Sequence, residues 1–431
     1  MGIFSKKNND LENIENTEIV TLIEEKKEKT ESQIINEMQK DYLSKRENLG
    51  DWDLEPKDFG PVWSYVADEN VTDINLNMDG HDLWITDLNK GKYRVEPETF
   101  KQKCDEWLKT QDALEFGNTE QQDSNSLFVK QFVHRVGNKQ SRQFNKQKPL
   151  LEAETGNLRI SCVHSSAAVS GISICIRKTP PVMRITPKKA LEQKYFTEDI
   201  LCLLTNCVKA KMNFVFCGEP GVGKTECAKF FSQFINAEDR VITIEDNPEL
   251  HYREINPGKD CVELKVFEPM FTYSTAIKAC LRQNPQWIML SEARSTEVKY
   301  LLECWSTGVS GFTTLHTDDV RKIPDRIQNM MGDSRDAERL ENDIFSFVNI
   351  GILLRKKKDE NGNTYRYIDQ VCFFDRSNGK NNIVMMVENG QMINNNGEKP
   401  KIPDYILKRL SFVDITDPYS GLNEILKGEK D

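Results

Sequence analysis

Residues Phe214–Phe230 read FVFCGEPGVGKTECAKF: an apolar run, then a loop with three glycines and a proline, then Lys224 and Thr225 opening a helix-compatible segment. Gly218, four residues, and Gly223-Lys224-Thr225 make the phosphate-loop pattern GxxxxGK[ST], set between a strand and a helix as its mechanism requires. Glycines let the backbone come close to a phosphate with its N–H groups turned inward, and the following helix presents its positive end. The candidate nucleotide-binding residues are therefore Gly218, Glu219, Pro220, Gly221, Val222, Gly223, Lys224 and Thr225. Lys224 is expected to reach the β and γ phosphates of ATP, and the Thr225 hydroxyl to ligate Mg2+.

Working outward, apolar strands recur between helical stretches: VITI at 241–244, WIML at 287–290, FTTL at 312–315 and the IGILL run that ends at Leu354. Runs apolar on both faces and separated by helices predict a largely parallel α/β sheet. Three of these strands end in reactive groups. VITIEDNPEL ends with Glu245 and Asp246, PQWIMLSEAR with Glu292, and STGVSGFTTLHTDD with His316. In an open α/β sheet the carboxyl ends of the strands face the ligand, so Glu292 is the candidate acid for activating water and His316 the candidate γ-phosphate sensor.

Upstream the pattern is different. WSYVADENVTDINLNMDGHDLWITD alternates Ile74, Leu76 and Met78, turns at Asp79-Gly80 and resumes with Leu83 and Ile85, which predicts a hairpin. Helical patterns around 99–116 and 126–137 and strand-like runs at 158–163 and 171–177 complete a smaller α+β domain over 49–178. Pro180, Pro181 and Pro187 mark a linker over 179–196, after which Thr197 caps a helix whose apolar face carries Ile200, Leu203, Leu204, Cys207 and Val208. Residues 197–431 form the phosphate-loop domain with a C-terminal extension, including a hairpin at Glu388-Asn389-Gly390. Residues 1–48 read as a charged tail or weakly amphipathic helix, and RKKKD at 355–359 as a solvated turn.

The formal charge of -10 gives no global basic field, so stable nucleic-acid binding is not expected. The eleven cysteines include no CxxC pair and read as buried thiols of a reducing cytoplasm. The start MGIFSKKNND lacks a secretory core, and Lys6 breaks the myristoylation pattern. The longest apolar run, 344–354, is far short of the roughly 20 residues of a spanning helix. A cytoplasmic protein with peripheral membrane association through partners is expected.

In order, GEPGVGKT, VITIEDNPEL, CLRQNPQWIMLSEAR and TGVSGFTTLHTDD resemble the Walker A, Asp box, Walker B and His box of the type II and type IV secretion ATPases, most closely the CpaF-like, conjugation-type branch. PVWSYVADENVTDINLNMDG is similar to the family's N-terminal signature, and GNLRISCVH with GISICIRK to the stretch that supplies two arginines. The resemblance spans roughly 58–370. It implies a RecA-like ATPase domain behind a smaller α+β domain, assembled as a cytoplasmic homo-hexamer on inner-membrane secretion or pilus assembly proteins. It makes Glu292 the catalytic carboxylate and Glu245 its helper, has His316 couple nucleotide state to conformation, and makes Arg159 and Arg177 arginine fingers. Arg294 and Glu297 match the tail of the Walker B segment as structural or interface residues. The chain departs from the pattern at Ser291, Gln286, Val309 and the Glu219-Pro220 pair. The implied function is a motor ATPase of a conjugative type IV secretion system, with a tight-adherence pilus motor as the alternative. A nucleic-acid motor would need a basic, aromatic-lined strand channel, for which the acidic balance offers little support, and a catalytically silent ring is at odds with the retained Lys224, Thr225, Glu292 and His316.

Overall fold

The computed structural model describes residues 54–110, 123–155, 157–267, 269–295, 297–331, 337–394 and 397–428, so the tail read over 1–48 lies outside the described residues. Two compact units emerge: residues up to Leu88 with Lys92–Lys178, and Asn89–Gly91 with the residues from Thr179 onward.

The first unit is built on β1 (Val71–Asn77), β2 (Asp82–Asp87), β3 (Gly91–Arg94), β4 (Leu150–Thr155), β5 (Leu158–Val163) and β6 (Ser173–Lys178), in the order β3-β2-β1-β6-β5-β4. The pairs β1/β2, β1/β6, β5/β6 and β4/β5 are antiparallel. Period-two alternation sends Ile74, Leu76, Ile160, Ile174 and Ile176 into one core with Phe100 of the helix Pro97–Trp107 and Phe128 and Phe132 of the helix Ser124–Lys139. Asp123 caps the second helix, its carboxylate accepting from Ser126 N at 2.8 Å. The expected turn falls at Asp79 (φ 52°) and Gly80 (φ 90°). Met78 does not continue the buried alternation: the strand stops at Asn77, and Met78 opens the turn with 49% of its surface exposed.

The second unit carries β7 (Phe214–Cys217), β8 (Val241–Glu245), β9 (Cys261–Lys265), β10 (Trp287–Leu290), β11 (Ser310–Leu315), β12 (Ile350–Lys358), β13 (Thr364–Asp375), β14 (Asn382–Glu388) and β15 (Gln391–Met392). They form one sheet, ordered β15-β14-β13-β12-β7-β11-β10-β8-β9. From β9 to β12 every ladder is parallel, and β13 to β15 return as an antiparallel meander. Alternate residues of the central strands feed two cores. Phe214, Phe216, Trp287, Phe312 and Ile352 face one side. Val215, Cys217, Ile244, Leu290 and Leu315 face the other. Phe312 lies edge-on to Phe214 at 4.9 Å and to Trp287 at 5.2 Å, which locks β11 between β7 and β10. Gly311 admits no side chain: a Cβ there would stand 2.3 Å from Ile288 O and 2.4 Å from Trp305 Nε1.

Two segments differ from their sequence reading. RKKK at 355–358 is not a turn but the outer half of β12, paired with β13, because exposed strand residues next to a hairpin can be charged without loss of the ladder. Within 179–196, Pro187 opens the short helix Pro187–Glu192 from its first position, where a missing N–H costs nothing. Ten cysteines are buried and Cys175 is half-buried.

Candidate functional site

The phosphate loop leaves β7 at Cys217 and turns through Gly218 (φ 142°), Gly221 (φ 71°) and Gly223 (φ 97°) into the helix Lys224–Ser232. At Gly218 the requirement is also steric, since a Cβ would approach Leu354 O to 2.6 Å. Glu219 and Pro220 are exposed at the tip, and Val222 packs beneath it. The Glu219 carboxylate is therefore on an exposed residue at the rim of the loop.

Lys224 is 8% exposed. Its Nζ donates to Gly218 O at 3.1 Å and Glu219 O at 3.2 Å, and meets His316 Nδ1 at 3.1 Å. Burial pulls its ammonium below the ordinary lysine value, opposed by the Glu292 and Glu249 carboxylates. His316 follows the last residue of β11, and its Nε2 lies 3.0 Å from Glu292 Oε1. One neutral tautomer satisfies both contacts: Nδ1 accepts from Lys224 and Nε2–H donates to Glu292. Glu292 Oε2 pairs with Arg294 Nη2 at 2.8 Å, and Arg294 Nη1 with Asp246 Oδ2 at 2.8 Å. A continuous polar chain thus runs from the loop lysine through His316, Glu292 and Arg294 to Asp246. Glu297 turns back to accept from Arg294 N and Ser295 N, closing the bend before the helix Glu297–Ser306.

Glu245 is placed differently from Glu292. It ends β8 but is 3% exposed, and its carboxylate accepts from Glu249 N (3.0 Å) and Leu250 N (3.2 Å). Burial raises its pKa from 4.5 to about 8, with those two backbone donors opposing. The side chain holds the loop after β8 instead of facing the lysine chain. That loop brings up Glu249, whose Oε2 accepts from Thr225 Oγ1 at 3.4 Å. Sequence reasoning passed over Glu249, although it stands in the same VITIEDNPEL segment; its signal is the four-residue offset from Glu245, which one turn of loop converts into a swap of roles. Further on, His251 (φ 47°) sets its Nε2 2.6 Å from Thr179 O.

Arg159 and Arg177 belong to the first unit. They are directly opposed on β5 and β6 and so share one face, where Arg177 Nε donates to Asp73 Oδ1 at 3.0 Å. The structure therefore brings together Lys224, Thr225, Glu292 and His316, sets Glu245 behind them, and leaves the two arginines on a separate unit.

Hydroxyl and carboxylate oxygens of Thr225 and Glu249 form a hard-oxygen pair beside the loop, the donor type that Mg2+ takes. Among the described residues no cluster of three or more His, Cys, Asp or Glu could hold a metal by itself.

The family described as Type II/IV secretion system protein matches residues 150–370, from β4 into β13. An uncharacterized protein of Bacillus anthracis is 29% identical over 230 residues, covering 53% of this chain and 51% of that protein. The chain thus spans about half the length of this relative. The type IV secretion system protein VirB11 of Brucella suis is 25% identical over 246 residues, 50% of this chain and 68% of that one. Among solved structures, the ATPase DotB of Legionella pneumophila covers 76% of this chain and 85% of its own at a TM-score of 0.51 and 17% identity, which shows a common fold.

Proposed function

Because this chain belongs to the Type II/IV secretion system protein family, we propose that it is an ATP-hydrolysing motor that energises a conjugative type IV secretion system or a related pilus machine. The observation that carries the proposal is the unbroken chain Lys224–His316–Glu292–Arg294, which joins the phosphate loop to a carboxylate at the end of a neighbouring strand. In this reading Gly218 through Thr225 cradle the phosphates, and Glu292 orients and deprotonates the attacking water. His316 touches both the loop lysine and that acid, so a change in what Lys224 binds alters the hydrogen bond on Glu292. Thr225 and Glu249 would hold Mg2+, which neutralises charge developing on the phosphates. Glu245 assists by fixing the loop that carries Glu249. Arg159 and Arg177 are assigned to the phosphates as arginine fingers, in a homo-hexamer docked on inner-membrane secretion or pilus proteins. Among the described residues no helix is long and apolar enough to cross a membrane.

The test is ATP turnover by the purified chain beside Glu292→Gln and Lys224→Ala, with native mass recorded on a non-hydrolysable nucleotide. Glu292→Gln is expected to lower kcat by about 10²- to 10⁴-fold, the usual contribution of a general base. Lys224→Ala should strongly weaken nucleotide binding, and the nucleotide-bound mass should be that of six chains. A monomer that binds nucleotide without turnover sinks the autonomous motor.

A further inference from the structure

A second group of polar side chains gathers on the side of the phosphate loop away from the lysine chain. Arg366 of β13 lies against the last loop glycine: a Cβ on Gly223 would stand 3.5 Å from Arg366 Cδ. Tyr195 is fixed next to it, because its carbonyl accepts from Ile368 N at 2.8 Å, two residues further along the same strand. Tyr195 is 6% exposed, and its buried hydroxyl has no hydrogen-bond partner beyond the weak thiol of Cys227. Glu226, in the first turn of the loop helix, accepts at Oε1 from Lys229 Nζ at 3.1 Å, while its Oε2 is buried without a partner. Arg184, just before the helix Pro187–Glu192, buries Nη2 in the same condition. Arg366 interacts with Tyr195, Arg184 and Glu226, and among the described residues neither arginine forms an ion pair within contact distance.

A desolvated Arg366 guanidinium repelled by Arg184, and the buried Nη2 of Arg184, beside a phenol and a carboxylate oxygen with nothing to bond, form a costly arrangement unless a ligand supplies the missing partners. The chemistry of the four groups defines that ligand. Paired arginines suit a phosphate, and a carboxylate oxygen and a phenol suit sugar hydroxyls. The position defines which phosphate. The loop runs from Lys224, at the β and γ phosphates, into the first helical turn, where the backbone cradles the α and β phosphates. Gly223 and Glu226 lie at that end.

We propose that Arg366 and Arg184, with Tyr195 and Glu226, form the subsite for the nucleoside 5′-phosphate end of the nucleotide: the arginines take the α-phosphate, and Tyr195 and Glu226 the ribose hydroxyls. This rests on the phosphate loop binding a nucleotide and adds what holds its other half. It also makes Arg184, in the segment that follows the first unit, part of the nucleotide site.

Calorimetric titration with Mg2+-ADP and with Mg2+-pyrophosphate tests it, because only ADP carries the α-phosphate with its nucleoside. Arg366→Gln is expected to weaken ADP by about 10- to 100-fold, the worth of a hydrogen bond to a charged group, and to leave pyrophosphate within about twofold. Arg366→Lys should recover part of the loss, and Lys224→Ala should weaken both probes. If Arg366→Gln does not fold, Arg184→Gln on the partly exposed segment makes the same comparison. A wild type that binds both probes while the arginine variants leave ADP untouched, or weaken both equally, overturns the subsite alone. A wild type that binds neither overturns the phosphate-loop reading and the subsite together.

Discussion

At Lys224 all three N–H donors are engaged, by Gly218 O, Glu219 O and His316 Nδ1, so an incoming phosphate exchanges partners with the protein rather than meeting a free cation. The same chain gives His316 a measurable role. His316→Ala is expected to lower kcat by at least about tenfold with a smaller change in KM, because it unlinks Glu292 from the loop without removing a phosphate donor. Equal losses in kcat and binding would mean that the imidazole merely supports the loop. Glu245 carries a pH signature. Its folded pKa of about 8 lies above the ordinary 4.5, so the folded state holds the proton across that interval. Stability from this group is full below pH 4.5 and is lost as pH rises through about 8. Glu245→Gln, which mimics the neutral form, should flatten the urea-midpoint profile between those limits, by on the order of a few kcal/mol. Identical profiles would show that the carboxyl is ionised throughout. Lys224, Glu292 and His316 were legible in the sequence because each follows an apolar strand or a fixed motif. The division of labour between Glu245 and Glu249 was not, since it depends on which way a short loop turns after β8.

Among the elements, a sequence reading finds the strands buried on both faces, β7, β8, β10, β11 and the first half of β12, and the cleanly alternating strands β1, β2, β5 and β6. It does not place β3, β4 or β9, whose alternating or largely exposed residues carry as many charges as a loop. Edge positions tolerate such residues because only one ladder and one face constrain them. Tertiary fit is equally hidden. Gly311 looks like any glycine in a strand, yet its bare Cα lets Trp305 close over β11. Gly311→Ala is expected to destabilise the second unit by about 1–3 kcal/mol through overpacking, read as a lower urea midpoint at unchanged slope. In the first unit the turn between β1 and β2 depends on a long-range partner: Asp79 Oδ1 accepts from Ile172 N at 2.8 Å, and Gly171 must be bare for the carboxylate to fit. Asp79→Ala should therefore loosen both the turn and the entry to β6, seen as faster hydrogen exchange at Ile172 than at Ile160.

For the whole molecule, the division into two units follows from two kinds of sheet: an antiparallel one covered by the helices Pro97–Trp107 and Ser124–Lys139, and a mainly parallel one with a core on each face. That contrast was legible, because alternation gives way to continuous apolar runs after the proline-bearing segment. The burial of the cysteines has a practical consequence. Cys104, Cys162 and Cys175 belong to the first unit and the other eight to the second. Burial lifts the Cys162 thiol to about 12 and the Cys202 thiol to about 11, so almost no thiolate exists in the closed protein at neutral pH. An alkylating reagent can then react at these sulfurs only in molecules that have transiently opened. Half-buried Cys175 should label first, and the remaining sulfurs in groups that share a rate, one group for each unit. The wild-type chain thus carries its own built-in clocks, and a mass spectrum taken over time would report how often each half of the molecule comes apart without any probe being introduced.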